Sequence, residues 1–546
     1  MKKPYQFLSA VLFISINYCA FAQQIKVSPE VKRAMENVSA NQIKADITYL
    51  ADDKLKGRAP GSEGYQMAVD YVVGQLKALN VIPAGENNTW LQTVRFKRAF
   101  STDAVMSIDG STTELKRGTD FTISPNPAMS KVDVGTQLVF AGYGVSEPKL
   151  GYDDYAGLDV KGKIVVIVRG SPDKFSSSVS AHVMNAAAIL KAANDHGAVG
   201  VMVAPAEPPV NNRGGGGGGA GNRGTYNIVD EKGRVSVSRT QYGKINIYGT
   251  LGFDLFNSLV QKVGKDLKTI SVNLKNGTPN SFSLNTGVKI AYTSTYQDVI
   301  SYNVVGKIEG TDAKLKKQYV VHSAHLDHLG IGRAVEGDSI YNGAHDNASG
   351  VASVLAIAKI YHDIKLKPKR SILFILMTGE ELGDMGSSYF AKHPTIPVGS
   401  MVADVNTDMP TIIAPLLSVT ALGAEHSSLS KQVAEAAEYL GLGVEDDPEP
   451  KQARFTRSDQ YSFVVNGVPA LHIKYGSKTA DGKNNMNDIV APWRAKYYHK
   501  PQDDINGIFD FEAGKKYAQL NFLIGYLVAQ NNARPTWNAG DIFAEK

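Results

Sequence analysis

Two adjacent carboxylates stand at the mouth of an apolar run: Gly379-Glu380-Glu381 follows Ser371-Ile-Leu-Phe-Ile-Leu-Met377 with one residue between. At the end of a buried strand each would be desolvated, and each would repel the other, unless something positive lies beside them. A metal ion answers that need. One glutamate binds the ion, and the other takes a proton from the water that the ion activates. A surface strand end can carry two glutamates as well, so the pair gains meaning only with further ligands. Candidates stand at four other places. His325-Leu-Asp327 ends the run Tyr319-Val-Val-His-Ser-Ala324, and Asn406-Thr-Asp408 ends the run from Met401. Tyr498-His499 lies in a loop before the last helix, and Asn342-Gly-Ala-His345-Asp346-Asn-Ala-Ser-Gly350 opens a helix. Two imidazoles and several carboxylates without thiols suit zinc or a similar divalent ion. Their number suits two ions, because an aspartate can bridge with both oxygens.

The elements that must position these groups alternate in type from Tyr296 onward. Strands are predicted over Tyr302 to Ile308, Tyr319 to Ser323, Ser371 to Met377, Met401 to Val405 and Ala470 to Ile473. Helices are predicted over Ser349 to His362, Ser387 to Lys392, Ser427 to Leu440 and Glu512 to Ala529. That order implies an α/β fold: a mixed, largely parallel central sheet flanked by helices, with its site beyond the carboxyl ends of the strands. Residues 31–79 read as mostly helical, and a polar strand follows near Trp90 to Phe96. From 102 to 283 the texture changes to short strands, Gln137 to Phe140, Lys163 to Val168 and Gly200 to Val203, with an alanine-rich helix from Ala181 to Ala193. The stretch 211–224, Asn-Asn-Arg followed by glycines, reads as a flexible loop. No strand-to-helix turn frames it, so it makes a poor phosphate cradle.

The five motifs together resemble the zinc-dependent exopeptidases of peptidase family M28, the secreted bacterial aminopeptidase group, over essentially the whole mature chain. The resemblance implies that His325 and Asp408 bind one zinc ion, Glu381 and His499 bind a second, and Asp346 bridges both. Glu380 would be the general base and later the acid, and Asp327 would orient His325. Where the family often has a second acid before the bridging aspartate, this chain has His345, which lines the pocket or is exposed without touching metal. His328 is expected at the pocket edge or in a local structural role. Ser458-Asp-Gln-Tyr461 resembles the loop facing substrate, with Tyr461 a hydrogen-bond donor to the intermediate. Residues 102–283 resemble an inserted, mainly β protease-associated domain, through Phe140-Ala-Gly-Tyr-Gly144, Asp159-Val-Lys-Gly-Lys-Ile-Val165 and His196-Gly-Ala-Val-Gly-Val201. The expected division is a signal peptide over 1–22, a first catalytic part over 23–101, the insertion over 102–283, and the main catalytic metallopeptidase domain over 284–546.

The activity so implied is a dizinc aminopeptidase acting on peptides with a free N-terminus. A carboxypeptidase or dipeptidase on the same fold stays open, as does a one-zinc acyltransferase resembling glutaminyl cyclase, or a binding module on the same scaffold. Composition agrees with a globular protein of two or three units: 546 residues, 43% hydrophobic, 20% charged, formal net charge +5. No basic cluster interleaved with aromatics points to nucleic acid. Lys2-Lys3, the apolar stretch from Phe7 to Ile16 and Ala20-Phe-Ala22 form an export signal with cleavage near Ala22, which implies a periplasmic or secreted protein. The sole cysteine, Cys19, falls inside that signal. The mature chain would then use no disulfide, cysteine nucleophile or cysteine-bound zinc, and no other segment is apolar enough for stable membrane insertion.

Overall fold

The computed structural model describes residues 27–208 and 224–544. The expected export signal, and residues 211–223 of the glycine-rich stretch, lie outside the described residues. Among those described, no helix is long and apolar enough to cross a membrane.

The centre of the molecule is a mixed sheet. Its middle strands, Ser371–Met377, Tyr319–His325, Met401–Asn406 and Ala470–Tyr475, lie side by side in that order and all run parallel. Ser418–Leu422 adds antiparallel to the last of them, and the end of Ser281–Ile308 adds antiparallel to the first. The apolar runs explain the placement: every residue of Ser371–Met377 is buried, as a parallel strand covered on both faces requires. Each of its six apolar side chains gains about 2 kcal/mol on leaving water, which anchors the strand end beneath Glu380 and Glu381. One face is covered by helices Ala40–Leu50, Glu63–Ala78, Ser349–Asp363, Leu429–Tyr439 and Phe511–Gln530. The other is covered by Met385–Lys392 and Gln460–Val464.

The inserted part has its own sheet, in which Lys131–Ala141, Ile164–Val168, Gly200–Ala204 and Ile247–Leu251 run parallel in sequence of contact, with apolar clusters on either face. Two features differ from the expectation. The alanine-rich helix is two helices, Ser177–Val183 and Ala186–Asp195, because the Asn185 side chain accepts from the Ala187 amide (2.9 Å) and starts a second helix. The expected junction near residue 283 falls inside one 28-residue strand, Ser281–Ile308. Its first half pairs with Lys131–Ala141 in the inserted sheet, and from Ser294 it pairs with Leu91–Ser101, next to the catalytic sheet. The hairpin Thr225–Val229 and Val235–Val237 also joins that neighbouring strand Leu91–Ser101.

Candidate metal centre

Strand register gathers the ligands. His325 is level with Met377, and Ser323 is level with Asn406. Continuing each strand by two to four residues brings Glu380, Glu381 and Asp408 round His325. Gly379 permits the turn after Met377: its φ is +73°, and an added Cβ would lie 2.7 Å from the Phe96 ring. Asp346 arrives from the turn Ala344–Ala348 that opens helix Ser349–Asp363. Asn347 fastens that turn to the Asp408 loop, donating to the Thr407 carbonyl (3.0 Å) and accepting from the Met409 amide (3.1 Å).

The Asp346 carboxylate lies between two histidines. One oxygen is 3.4 Å from His325 Nε2, and the other is 3.2 Å from His499 Nε2. His325 Nε2 is also 3.4 Å from Asp408 and 4.0 Å from Glu380. His499 Nε2 is 3.3 Å from Glu381. The ligands expected from sequence therefore fall into two sets that share Asp346. Asp327 is at the centre, but its carboxylate does not face His325. His325 Nδ1 lies 3.2 Å from the Asp327 main-chain oxygen, and the Asp327 carboxylate accepts from the Glu380 amide (3.2 Å). The strand end curls there, which turns the carbonyl toward the ring and the side chain toward the base.

His328 stands closer to the site than the sequence suggests. It is 1% exposed, with Nδ1 2.6 Å from Glu381 Oε1. The two atoms are not aligned for a hydrogen bond, and both lack any bonding partner among the described residues. Close approach of unbonded nitrogen and carboxylate lone pairs is what ligands of a shared cation look like. His328, Asp346 and Glu381 can hold one ion, as can His325, Glu380 and Asp408. The nitrogen and oxygen donors fit zinc or a similar divalent ion.

Electrostatics point the same way. Burial pushes Glu380 well above the usual carboxyl range against His325, and the charges of Asp384, Glu381 and Asp408 add to it. Asp327 is pushed up to about 6 by burial and Asp384 likewise to about 6. Burial would also raise Asp346, but His325 and His499 outweigh it and hold the group well below its ordinary value. So many carboxyl groups in one buried place demand positive charge, and a cation among them reverses the upward shifts.

Supports that sequence reasoning missed surround the ligands. Asp503 accepts from the amides of His345 and Asp346 (3.0 Å each) and lies 3.2 Å from His345 Nδ1. His345 is therefore not exposed: it is stacked on Phe509 at 4.0 Å and edge-on to Trp493. Lys474 and His472 hold the Asp408 carbonyl at 2.8 and 2.9 Å. Arg58, in the glycine-rich turn after the second helix, is 1% exposed. Its guanidinium donates to the carbonyls of Leu326 (2.9 Å), Asn342 (2.6 Å), Gly343 (3.1 Å) and Leu50. The hint available in sequence was slight: Asp503 lies four residues past His499, and Arg58 stands alone in its turn. Tyr461 is buried on helix Gln460–Val464 and bonds His182 of the inserted part.

Residues 303–520 match the model of peptidase family M28, and residues 134–243 match that of the PA domain. The chain thus carries a peptidase family M28 region, with a PA-domain match ahead of it. Among curated relatives, rat carboxypeptidase Q is 31% identical over 217 residues, 37% of this chain and 42% of that protein. The chain thus matches less than half the length of that relative. Among solved structures, the aminopeptidase from Aneurinibacillus sp. strain AM-1 is 19% identical, covering 92% of this chain and 97% of its own, with a TM-score of 0.48. The Bacillus subtilis zinc aminopeptidase BSAP is 18% identical, covering 93% and 98%, with a TM-score of 0.42.

Proposed function

We propose that this M28 protein is an exported dizinc aminopeptidase that removes N-terminal residues from peptides. The observation that carries the reading is the Asp346 carboxylate, whose two oxygens face His325 and His499 and so serve two ligand sets at once. His325 and Asp408 would hold one ion, Glu381 and His499 the other. When bound, the ions supply Lewis acidity that polarises the scissile carbonyl and makes water a stronger acid. Glu380, 4.0 Å from His325 Nε2 at the centre, takes the proton of the attacking water and returns it to the leaving amine. Asp327 holds the Glu380 amide and thereby the base. Tyr461 donates to the developing oxyanion. Free carboxylates at the centre attract the substrate's α-ammonium, which favours exopeptidase action. Export rests on the pattern of residues 1–22 alone; the mature chain would begin at Gln23.

A carboxypeptidase or dipeptidase is the second reading. It needs a cation for the substrate's terminal carboxylate, and Arg239 favours it. Its guanidinium packs where a Gly383 Cβ would stand, 2.2 Å from that point, two residues past Glu381. The test is a panel of free and N-blocked peptides read by mass spectrometry, with and without chelator. Cleavage of free peptides from the N-terminus, lost on chelation and restored by zinc, supports the aminopeptidase. Cleavage of N-blocked peptides from the C-terminus selects the second reading, and activity that survives complete metal removal refutes both.

A further inference from the structure

We propose that the inserted domain completes the substrate site: His182 is a positioning residue that holds the Tyr461 hydroxyl in the orientation from which it donates. The inference rests on the reading of Tyr461 as the donor to the oxyanion.

The inserted helix Ser177–Val183 lies against the catalytic part near the substrate-facing loop. His182 Nδ1 is 2.6 Å from the Tyr461 hydroxyl, and its ring meets Phe543 edge-on at 5.2 Å. Phe543 packs in turn on Phe455 and His426, so the imidazole is seated in an aromatic corner of the catalytic part. Tyr461 is tied to the metal centre from its other side. Asn406, two residues before the ligand Asp408, donates to Gln460 and Ser458 (2.9 Å each), the residues that lead into Tyr461. Tyr461 is 6% exposed, and burial together with the charge of Asp384 keeps its hydroxyl protonated far beyond neutral pH. Asp384 belongs to the base loop, its amide donating to the Glu380 carbonyl (2.9 Å).

The chemistry follows from what a phenol can do. It has one proton to give and lone pairs to accept with, and its C–O–H torsion is free. An imidazole that donates through Nδ1–H occupies a lone pair and leaves the phenolic proton for the substrate. If instead the phenol gave its proton to His182, it would have none for an oxyanion. The proposal therefore assigns the proton to His182 Nδ1, a tautomer set by this contact. The alternative is a bond that merely docks the helix. Docking alone would predict lost stability without a specific loss in turnover.

The test uses the full zinc-loaded chain with an aminoacyl p-nitroanilide, comparing His182→Ala, His182→Asn, Tyr461→Phe and the double variant His182→Ala/Tyr461→Phe. Zinc content and melting temperature are followed alongside. Tyr461→Phe is expected to lower kcat by about 100-fold, as loss of one oxyanion donor does. His182→Ala is expected to lower kcat by about 10-fold or more with KM within about 2-fold, and the double variant to fall no further than Tyr461→Phe alone, since coupled residues are not additive. His182→Asn, whose amide N–H replaces Nδ1–H, recovers most of the loss. Wild-type turnover in His182→Ala, losses that multiply in the double variant, or full activity in Tyr461→Phe would each overturn the proposal. A separate arm needs no catalysis: the Nδ1 resonance of His182, in protein labelled with nitrogen-15 histidine, must shift in Tyr461→Phe. Absence of wild-type activity would defeat the proposed reaction, whereas an unmoved resonance would defeat the His182–Tyr461 pairing itself.

Discussion

Replacing Arg58 with methionine keeps most of the side-chain volume and removes the charge and the planar fork of donors. The guanidinium now serves the carbonyls of Leu50, Leu326, Asn342 and Gly343. Leu326 lies between His325 and Asp327, and Asn342 and Gly343 lead into Asp346, so one side chain fixes two ligand-bearing loops. Burial lowers its pKa only to about 10, partly offset by Asp327, Asp346, Asp503 and Glu381, so it is charged at neutral pH. The Gly343 carbonyl keeps the Ala348 amide (3.1 Å), whereas a buried carbonyl left without a donor costs about 1–3 kcal/mol, so the other three cost on the order of 3 kcal/mol even at the low end. The nearby carboxylates also lose a compensating charge, and breaking a buried charge pair costs about 3–5 kcal/mol. Taking about 3 kcal/mol as a floor, a unit of roughly 330 residues should lose about 4 °C in melting temperature. Displaced loops should also weaken zinc binding by about 10–100-fold, as loss of supporting contacts does. Calorimetry and competition with a zinc chelator measure the two effects, and Arg58→Lys, which keeps charge without the fork, should fall between. An Arg58→Met variant that melts within about 2 °C of wild type and retains zinc equally would refute the bracing role.

Three other perturbations separate the parts of the account. His328→Asn should weaken one of the two zinc sites by about 10–100-fold and leave the other unchanged, read by chelator competition; equal affinity at both sites would remove His328 from the centre. Gly379→Ala places a Cβ against Phe96 at positive φ, and a shift of about 1 Å in the following glutamates should cost roughly 100-fold in turnover with zinc still bound. Asp404, buried with only one oxygen bonded, by Ser323 (2.7 Å), is pushed up to about 8 by burial. Its folded form thus holds a proton that the unfolded chain releases near pH 4, so its contribution is full below that pH and declines as pH rises toward 8. Asp404→Asn should flatten the fall in melting temperature between pH 5 and 8, and an unchanged slope would contradict a protonated Asp404.

The catalytic sheet was legible because its central strands are apolar runs, three of which lead into polar candidate residues; Ser371–Met377 with its two glutamates is the clearest. The approach of Glu380, Glu381 and Asp408 to His325 follows from the same pattern, since a strand end fixes where the next few side chains go. What escaped was set by contacts distant in sequence. Nothing local to Arg58 tells that it reaches residues 326, 342 and 343. His328 looked peripheral because its role depends on Glu381, which the parallel register brings beside it. Asp327 was rightly placed near His325, yet the turn of the backbone decides which of its oxygens faces the ring. Strand Ser281–Ile308 was read only in its last part, because its polar middle changes sheets and obeys no single burial pattern. The His182–Tyr461 bond joins residues 279 apart across the insertion, and no periodicity could announce it.

The central claim is that Asp346 lets one site hold two ions. Elemental analysis of the purified, zinc-saturated chain, set beside Asp346→Asn, tests it most directly. Two zinc ions per wild-type chain, with at least one lost in the variant, is the result the account predicts. A single zinc in the wild type, or two in both proteins, would contradict it.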